Sequence, residues 1–190
     1  MTVHLTDLNA AVDLLLKRIP GTLRIGAPLG IGKPHRLLNA LYERIETDPS
    51  RRMEIYTALS LDPPTAGSDL ERRFLAPFAQ RHFGDDFPAL RYVQAMKRDA
   101  LPAHIVVEEF YMQSGALWKS TQAQRGYTSL NYTQAAAGVA QRGANLILQK
   151  VAREPGGTRL SLSCNNDTTH DTIDAIRALG LPRPLLVAEI

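Results

Sequence analysis

The segment Leu23–Leu41, LRIGAPLGIGKPHRLLNAL, decides the fold because it passes from a strand through a glycine-rich turn into a helix. The apolar run Leu23–Ile25 predicts a short buried strand, and three glycines follow it within seven residues. Pro34 suits the first position of a helix, where its missing N–H has no partner to lose. Three leucines then recur with helical spacing, at Leu37, Leu38 and Leu41.

A strand, a glycine loop and a helix N-terminus together predict a concavity that binds anions. Gly30 and Gly32 allow the backbone to approach a ligand, and free N–H groups and the helix dipole favour negative charge. The expected guests are a phosphate or a carboxylate. The residues alone also allow an alternative, in which the glycines only form a tight turn between the strand and the helix and bind no ligand.

Two familiar phosphate-binding motifs do not match this loop. A P-loop needs a glycine where Ala27 stands and a serine or threonine where Pro34 stands. The dinucleotide fingerprint needs a third glycine where His35 stands. The residue pattern of the loop therefore argues against nucleotide hydrolysis.

The composition is that of a folded protein with an ordinary balance of apolar and charged residues. Its 190 residues fit one domain, with 44% hydrophobic and 22% charged residues and a net charge of +3. Basic residues are scattered, so we expect no nucleic-acid partner. The single cysteine excludes an internal disulfide and suits a reducing compartment. With no signal peptide or membrane-length apolar run, we expect a cytoplasmic protein without a membrane partner.

Strands that alternate with helices predict an α/β domain over residues 1–190, with a mainly parallel sheet flanked by helices. The predicted strands are Thr22–Ile25, Met53–Leu59, Asn145–Val151, Arg159–Cys164 and Leu185–Ile190. The run His104–Trp118 is ambiguous, because its β-branched start favours a strand and its spacing and length favour a helix. We predict a helix there. Arg125–Tyr132 reads as an irregular loop, followed by a short helix over Thr133–Gln141.

Ligands of such sheets bind beyond the carboxyl ends of the strands. The predicted loops at that edge are Gly26–Lys33, Ser60–Gly67 and Cys164–Asp167. Asn131 and Tyr132 belong to a polar, aromatic loop of a kind that lines pockets for carboxylate or acyl groups, although an ordinary surface loop is the simpler explanation of these residues.

Other candidate catalytic or metal-binding residues have simpler structural explanations. Cys164 reads as a buried residue at a strand end, although His170, six residues on, leaves an activated nucleophilic thiol as the alternative. Asp167, His170 and Asp171 match no standard metal spacing, and helix capping explains them, so we predict no metal. Glu108 and Glu109 diverge on a helix and would not share one proton, so we expect one exposed and one partly buried carboxylate. The residues alone therefore supply no complete catalytic set.

The sequence resembles the N-terminal domain of the acetyl-CoA hydrolase/transferase family, which includes 4-hydroxybutyrate CoA-transferases. The resemblance covers about Leu23 to Ile190 and depends on the order and spacing of several segments. They are RIGAPLGIGKPHRLLNAL, YTSLNYTQAA, LILQKVA, SLSCNNDTTHDTIDAI and LLVAEI.

The resemblance implies the CoA-transferase fold, built from two related α/β halves, of which this chain is the N-terminal one. It also implies the chemistry. A glutamate carboxylate attacks an acyl-CoA thioester and expels CoA as the thiolate, which leaves an acyl-glutamyl anhydride. The thiolate then attacks the glutamyl carbonyl, releasing the acyl group as a carboxylate and forming a glutamyl-CoA thioester. That thioester passes CoA to a carboxylate or is hydrolysed.

The resemblance places the glutamate in a C-terminal half that we expect beyond Ile190, because the chain stops inside an apparent strand. No catalytic residue is therefore assigned here. The implied ligands are an acyl-CoA, as substrate rather than bound cofactor, and a small carboxylate. The implied partner is the C-terminal half, and a homodimer stays open. The residues expected to contact substrate are Gly30, Gly32, Lys33, Asn131, Tyr132, Asn165 and Asp167. The alternative is a non-catalytic ligand-binding or regulatory α/β module fused to another enzyme.

Overall fold

A five-stranded, wholly parallel sheet forms the centre of the molecule, with strand order β3-β2-β1-β4-β7. The structure is a computed structural model that describes residues 2–162 and 165–190. The strands are β1 (Leu23–Gly26), β2 (Met53–Thr57), β3 (Ile105–Glu109), β4 (Leu146–Lys150), β5 (Ala152–Arg153), β6 (Leu160–Ser161) and β7 (Leu185–Glu189). The helices are α1 (Leu8–Arg18), α2 (His35–Glu46), α3 (Asp69–Phe83), α4 (Arg91–Lys97), α5 (Thr121–Gly126), α6 (Tyr132–Gln141) and α7 (Thr169–Ala178). The α/β class and parallel sheet predicted from the sequence are confirmed.

The order of the strands creates a switch point between β1 and β4. The chain runs outward from β1 through β2 to β3 and then crosses back to place β4 on the other side of β1. Ile25 of β1 is thereby in register with Ile55 on one side and Leu146 on the other. Loops that follow strands on either side of a switch point diverge and leave a crevice at the carboxyl edge, which is where open α/β sheets bind ligands.

The two faces of the sheet are covered unequally. One face packs against α1, α2 and α4, and the leucines Leu38 and Leu41 of α2 are fully buried there. Burial of each such side chain contributes about 1.5 to 3 kcal/mol. The other face is covered by α6 and α7 around a small core of Ala140, Ala144, Ile147 and Ile176. The stretch Leu23–Leu41 thus supplies the central strand and the best-buried helix.

The helix predicted over His104–Trp118 is wrong. The chain forms β3 over Ile105–Glu109 and pairs in parallel with β2, so that Val107 lies opposite Ile55. Val107 and Ile105 are buried, whereas Val106 is only partly buried, which is the alternation of a strand. Pairing with the buried strand β2 stabilises this segment as a strand. The helical spacing that favoured a helix came mostly from residues beyond the end of β3.

Smaller predictions also shift at element ends. α5 occupies Thr121–Gly126, so that its last two residues fall in the predicted loop Arg125–Tyr132, and α6 begins at Tyr132 rather than Thr133. Within the described part, residues 159–162, of the predicted strand Arg159–Cys164, only Leu160–Ser161 forms a strand, and it pairs antiparallel with β5 outside the main sheet. Cys164 lies outside the described residues. Such shifts of a few residues reflect local capping choices that hydrophobic periodicity does not encode.

Candidate ligand-binding site at the carboxyl edge

Three segments that are distant in sequence meet at Asp167, beside the switch point. The Leu29 backbone N–H donates to Asp167 Oδ2 at 2.8 Å, and the Tyr132 hydroxyl donates to Asp167 Oδ1 at 2.6 Å. The side-chain amide of Asn165 donates to the Leu29 carbonyl at 2.6 Å. The glycine loop, the start of α6 and the segment before α7 are therefore joined by direct hydrogen bonds. Of the predicted site residues, Tyr132, Asn165 and Asp167 are brought together here.

Asp167 is held in a costly backbone conformation. Its φ is +42°, in the left-handed region that residues with a side chain adopt at a cost of about 1 kcal/mol or more. Its two hydrogen bonds to other segments offset this cost. Its hydrogen bond to Tyr132 raises the pKa of the phenol to about 12, and partial burial adds to the shift. Tyr132 therefore keeps its proton at neutral pH and remains a hydrogen-bond donor.

The amides of the glycine loop are largely occupied from within the chain. The Gly30 N–H donates to the Leu59 carbonyl at 3.0 Å, and the Lys33 N–H donates to the Gly30 carbonyl at 3.2 Å. At the N-terminus of α2, the Leu37 N–H donates to Glu189 Oε2 at 2.8 Å. Glu189 and Asp167 thus occupy positions where the sequence analysis expected a substrate anion. Direct binding of substrate by Gly30 and Gly32 stays a prediction, and it would require these contacts to rearrange.

Gly32 has a packing role that is visible in the structure. A Cβ on Gly32 would meet the Asn165 carbonyl oxygen at 3.0 Å and the Asn165 side chain at 3.1 Å. Its lack of a side chain therefore lets the Asn165 segment approach the loop. Gly30 has a φ of +56°, which glycine adopts without strain.

Lys33 is fully buried and acts as a clamp between two loops. Its ammonium donates to the Pro28 carbonyl at 2.7 Å, to the Ala58 carbonyl at 3.1 Å and to the Thr57 hydroxyl. Burial lowers the pKa of Lys33 to about 8, and the negative charges of Glu109 and Asp167 oppose that shift. The side chain fastens the loop after β1 to the loop after β2. In this conformation the ammonium has no surface exposed to a substrate.

A buried polar cluster beside Lys33 was missed by the sequence analysis. Glu109 lies at the carboxyl end of β3 and is almost fully buried, and it accepts a hydrogen bond from the Ser60 hydroxyl. The hydroxyls of Ser60 and Tyr92 lie 2.5 Å apart. Burial raises the pKa of Glu109, against the opposing charge of Lys33. Had the run been read as a strand, alternation would have put Glu109 on the buried face with Val107.

Glu108 points to the opposite face of the sheet and forms an ion pair with Arg142. The Arg142 Nε atom lies 2.6 Å from Glu108 Oε2, and the guanidinium stacks 5.6 Å from the ring centre of Tyr56. The expectation that one of the two adjacent glutamates is exposed and the other partly buried is therefore wrong. Glu109 is buried and Glu108 is half-buried and paired.

A cleft opens at the switch point between the sheet and the helices α6 and α7. Its enclosed part measures about 20 Å³, which is room for one water molecule or a similarly small group. It is lined by Gly26, Ala27, Pro28, Val139, Ile147, Asp167, Thr168, Thr169 and Thr172. Of the predicted substrate-contacting residues, only Asp167 lines the cleft, and the other six lie outside the lining: Gly30, Gly32, Lys33, Asn131, Tyr132 and Asn165. The hydroxyls and the Asp167 carboxylate are suited to hydrogen-bond a small polar group rather than to attack one.

Two other predicted residues have structural partners of their own. The Asn131 N–H, at the start of α6, donates to Gln134 Oε1 at 3.3 Å, and the Asn131 side chain is exposed. The Asn165 carbonyl accepts a hydrogen bond from Gln149 Nε2 at 3.1 Å. Contact of Asn131 with a substrate stays a prediction.

His35 is buried at the start of α2 with one ring nitrogen unpaired. Its Nδ1 lies 2.8 Å from the Lys33 carbonyl, whereas its Nε2 has no hydrogen-bond partner within residues 2–162 and 165–190. The ring packs edge-on against Phe87, with centres 5.0 Å apart. The Nδ1 contact identifies this nitrogen as the protonated one, because a carbonyl accepts only from an N–H. Burial lowers the pKa of His35 to about 4.

We expect His35 to make the protein unstable in weak acid. Because the pKa is about 4 in the folded chain and about 6.5 when unfolded, the unfolded state binds more protons between these values. The free energy of unfolding should therefore fall as the pH drops from 6.5 to 4. Urea unfolding across this range should show a shallower fall in His35→Gln. The same change at the exposed His4 is the control, and equal slopes in all three proteins would contradict the assignment.

Among the residues that the structure describes, no cluster of three metal-ligating side chains occurs, and no helix combines the length and apolar character needed to cross a bilayer. Comparisons with protein-family profiles, with curated proteins and with solved structures found no match.

Proposed function

We propose that this chain is the N-terminal, substrate-binding half of a cytoplasmic CoA-transferase or acyl-CoA hydrolase. It would line the pocket for a short acyl group and a small carboxylate. The attacking glutamate would belong to a C-terminal half of the same polypeptide. The covalent steps are not assigned to this chain, because no described carboxylate faces the cleft as a free nucleophile. Asp167 is engaged by two donors, and Glu109 is buried.

One observation carries the proposal. Three of the segments on which the family resemblance depends are separated by many residues, yet they meet at Asp167 through the Leu29 amide and the Tyr132 hydroxyl. They also meet beside the switch point of a parallel sheet, the position at which such sheets bind ligands. Convergence of these segments at a ligand-binding position is expected of a site and is not required for folding alone.

In the proposed role, Asp167 orients the Tyr132 hydroxyl and fixes the wall of the cleft. The proton of Tyr132 is donated to Asp167, so the groups at the cleft that could donate to an acyl or carboxylate oxygen are the hydroxyls of Thr168 and Thr172. Donors held in place before the substrate arrives stabilise developing negative charge on that oxygen at little cost of reorganisation. The enclosed part of the cleft, about 20 Å³, has room for one oxygen-sized group of such a ligand.

We expect Asp167→Asn to lower kcat/KM for acetyl-CoA by about tenfold to a hundredfold in the polypeptide encoded by the complete gene. The loss arises because the amide can no longer accept from both Leu29 and Tyr132 as a carboxylate does. CoA release should be followed with a thiol reagent, with and without a carboxylate acceptor. Asp171→Asn, at an exposed position on α7, is the matched control.

The 190-residue chain alone should not turn over acetyl-CoA, since the proposed nucleophile is absent from it. Robust thioester cleavage by the isolated chain would contradict the assignment of the nucleophile to a C-terminal half. A complete gene product that neither hydrolyses nor exchanges acetyl-, propionyl- or butyryl-CoA would overturn the proposed function. Unchanged turnover in folded Asp167→Asn would remove only the assignment of the site.

The occupied loop amides favour the second candidate, a non-catalytic α/β module. Asp167 and Glu189 satisfy donors that an anionic ligand would otherwise use. A regulatory module needs no nucleophile. Calorimetric titration of the chain with acetate and with CoA separates the two candidates, because the enzyme half should bind at least one of them and an unrelated module neither.

A further inference from the structure

A second groove lies between the end of α4 and the segment that precedes α5, and it shares no lining residue with the cleft at Asp167. Its volume is about 280 Å³, close to the lower end of the range of about 300 to 1,000 Å³ for small-molecule sites. The lining residues are Lys97, Ala116, Leu117, Trp118, Lys119 and Ser120. The groove is therefore large enough for one aromatic ring system with a charged substituent.

The tryptophan in this groove presents a free aromatic surface. Trp118 is the single tryptophan of the chain, and it is 67% exposed. The ammonium of Lys119 lies 5.2 Å from the centre of its ring. Most of the ring surface remains free in spite of that contact, so the ring can stack against the flat face of a planar ligand.

The segment that carries Trp118 is held in place by hydrogen bonds at both of its ends. The Asp99 carboxylate accepts from the Ser120 hydroxyl at 2.8 Å and from the Gln122 N–H at 2.9 Å. The side-chain amide of Gln124 donates to the Trp118 carbonyl at 2.6 Å. The ring is thus positioned before a ligand arrives, which reduces the entropic cost of binding.

The charged residues that line the groove are both cations, and one of them has no counter-ion. Lys97 forms an ion pair with Asp62, whose carboxylate also accepts from the Gln94 side chain at 2.8 Å. Lys119 forms neither a hydrogen bond nor an ion pair within the described part of the chain. Its ammonium is therefore available to a negatively charged group of a ligand.

We propose that this groove binds a phosphorylated aromatic molecule of mononucleotide size, with its ring stacked on Trp118 and its phosphate paired with Lys119. The short distance between the ring and the ammonium places both groups within reach of one small ligand. Lysine is a common partner of phosphate, and stacking on an aromatic side chain tolerates many kinds of planar ring. This site is separate from the cleft, so it does not depend on the reaction that the complete protein catalyses.

Tryptophan fluorescence tests the proposal, because all of the signal comes from Trp118. The ligand to use is adenosine monophosphate, with excitation at the red edge of the tryptophan band, where adenine does not absorb. Emission should be quenched saturably, with a Kd of about 0.1 to 1 mM for an open groove with one free cation. Adenosine should bind about tenfold more weakly because it lacks the phosphate, and inorganic phosphate alone should leave the emission unchanged.

Calorimetric titration of variants with adenosine monophosphate identifies the residues responsible. Trp118→Leu and Lys119→Ala should each weaken binding by about tenfold, whereas Trp118→Phe, which keeps an aromatic ring, should retain most of the affinity. Lys17→Ala, at an exposed position on α1, is the matched control and should bind like the wild type. Far-UV circular dichroism confirms that each variant is folded.

Quenching that rises linearly with the nucleotide and never saturates would overturn the proposal. So would wild-type affinity in Trp118→Leu or in Lys119→Ala. Adenosine that binds as tightly as its monophosphate would overturn the pairing of a phosphate with Lys119.

Discussion

Replacing Lys33 with methionine is expected to lower the free energy of unfolding by about 3 to 5 kcal/mol. The ammonium satisfies three buried acceptors, the carbonyls of Pro28 and Ala58 and the hydroxyl of Thr57. Methionine fills a similar volume and cannot donate. Thr57 can still donate to the Pro28 carbonyl, which lies 3.3 Å away, so the loss should fall short of the sum of three hydrogen bonds.

The measurement is equilibrium unfolding in urea at neutral pH, with Lys17→Met as the control. Lys17 is exposed on α1, so the same change there removes a charge without removing a buried donor. We expect less than about 0.5 kcal/mol at that position. A Lys33→Met variant as stable as the Lys17→Met variant would show that the clamp contributes nothing to folding.

The substitution Gly126→Ala is expected to lower the free energy of unfolding by about 3 kcal/mol. A Cβ at this position would lie 2.2 Å from the Val107 carbonyl oxygen, which is backbone within β3 and cannot turn aside. Either α5 or the edge of the sheet must move. Tyr127, the next residue, forms a β-bridge with Glu109, so the shift should also disturb the buried cluster at the end of β3.

Gly21→Ala provides the matched control, because a Cβ there meets nothing within 4 Å. We expect its stability to change little or to rise slightly as the unfolded chain loses freedom. Thermal and urea unfolding of both variants give the comparison. If the two alanine variants unfold alike, the close approach of α5 to β3 is not as tight as described.

Lys33 and Gly126 both act on the carboxyl edge of the sheet, where the candidate site lies. Lys33 joins the loops after β1 and β2, and Gly126 brings α5 against the end of β3. Lys33 holds Pro28 of the cleft wall without lining the cleft, whereas Gly126 lies beside β3, at the edge of the sheet away from the cleft. Their variants should therefore reduce any activity of the complete protein through stability, in contrast to Asp167→Asn, which should reduce it in a folded chain.

The central part of the fold was predictable because its signals are local. The apolar run, the glycines and the leucine spacing of Leu23–Leu41 predict β1, its loop and α2 without reference to the rest of the chain. The strand β3 was not predictable in the same way. Its residues carry two competing periodicities, and only pairing of Val107 with Ile55 in β2 decides between them.

The candidate site likewise combines features that local sequence predicts with features that depend on tertiary contacts. The sequence identified Tyr132, Asn165 and Asp167 as polar residues near strand ends or helix starts, and the structure brings these three together. The sequence could not indicate that Asp167 would accept a hydrogen bond from the Leu29 N–H, because that contact depends on how the segment before α7 packs against the glycine loop. The clamp of Lys33 and the burial of Glu109 were hidden for the same reason.

By itself, then, the sequence determined the α/β class, the parallel sheet and the glycine loop that leads into α2. These features follow from residue spacing and turn-forming residues within short segments, so they do not depend on the rest of the chain. Tertiary structure alone decided that Asp167 and Glu189 occupy the Leu29 amide of that loop and the Leu37 amide of α2, that Lys33 is buried and that α3 is left uncovered. Each of these depends on contacts between residues far apart in sequence, and such contacts are fixed only when the whole sheet has assembled.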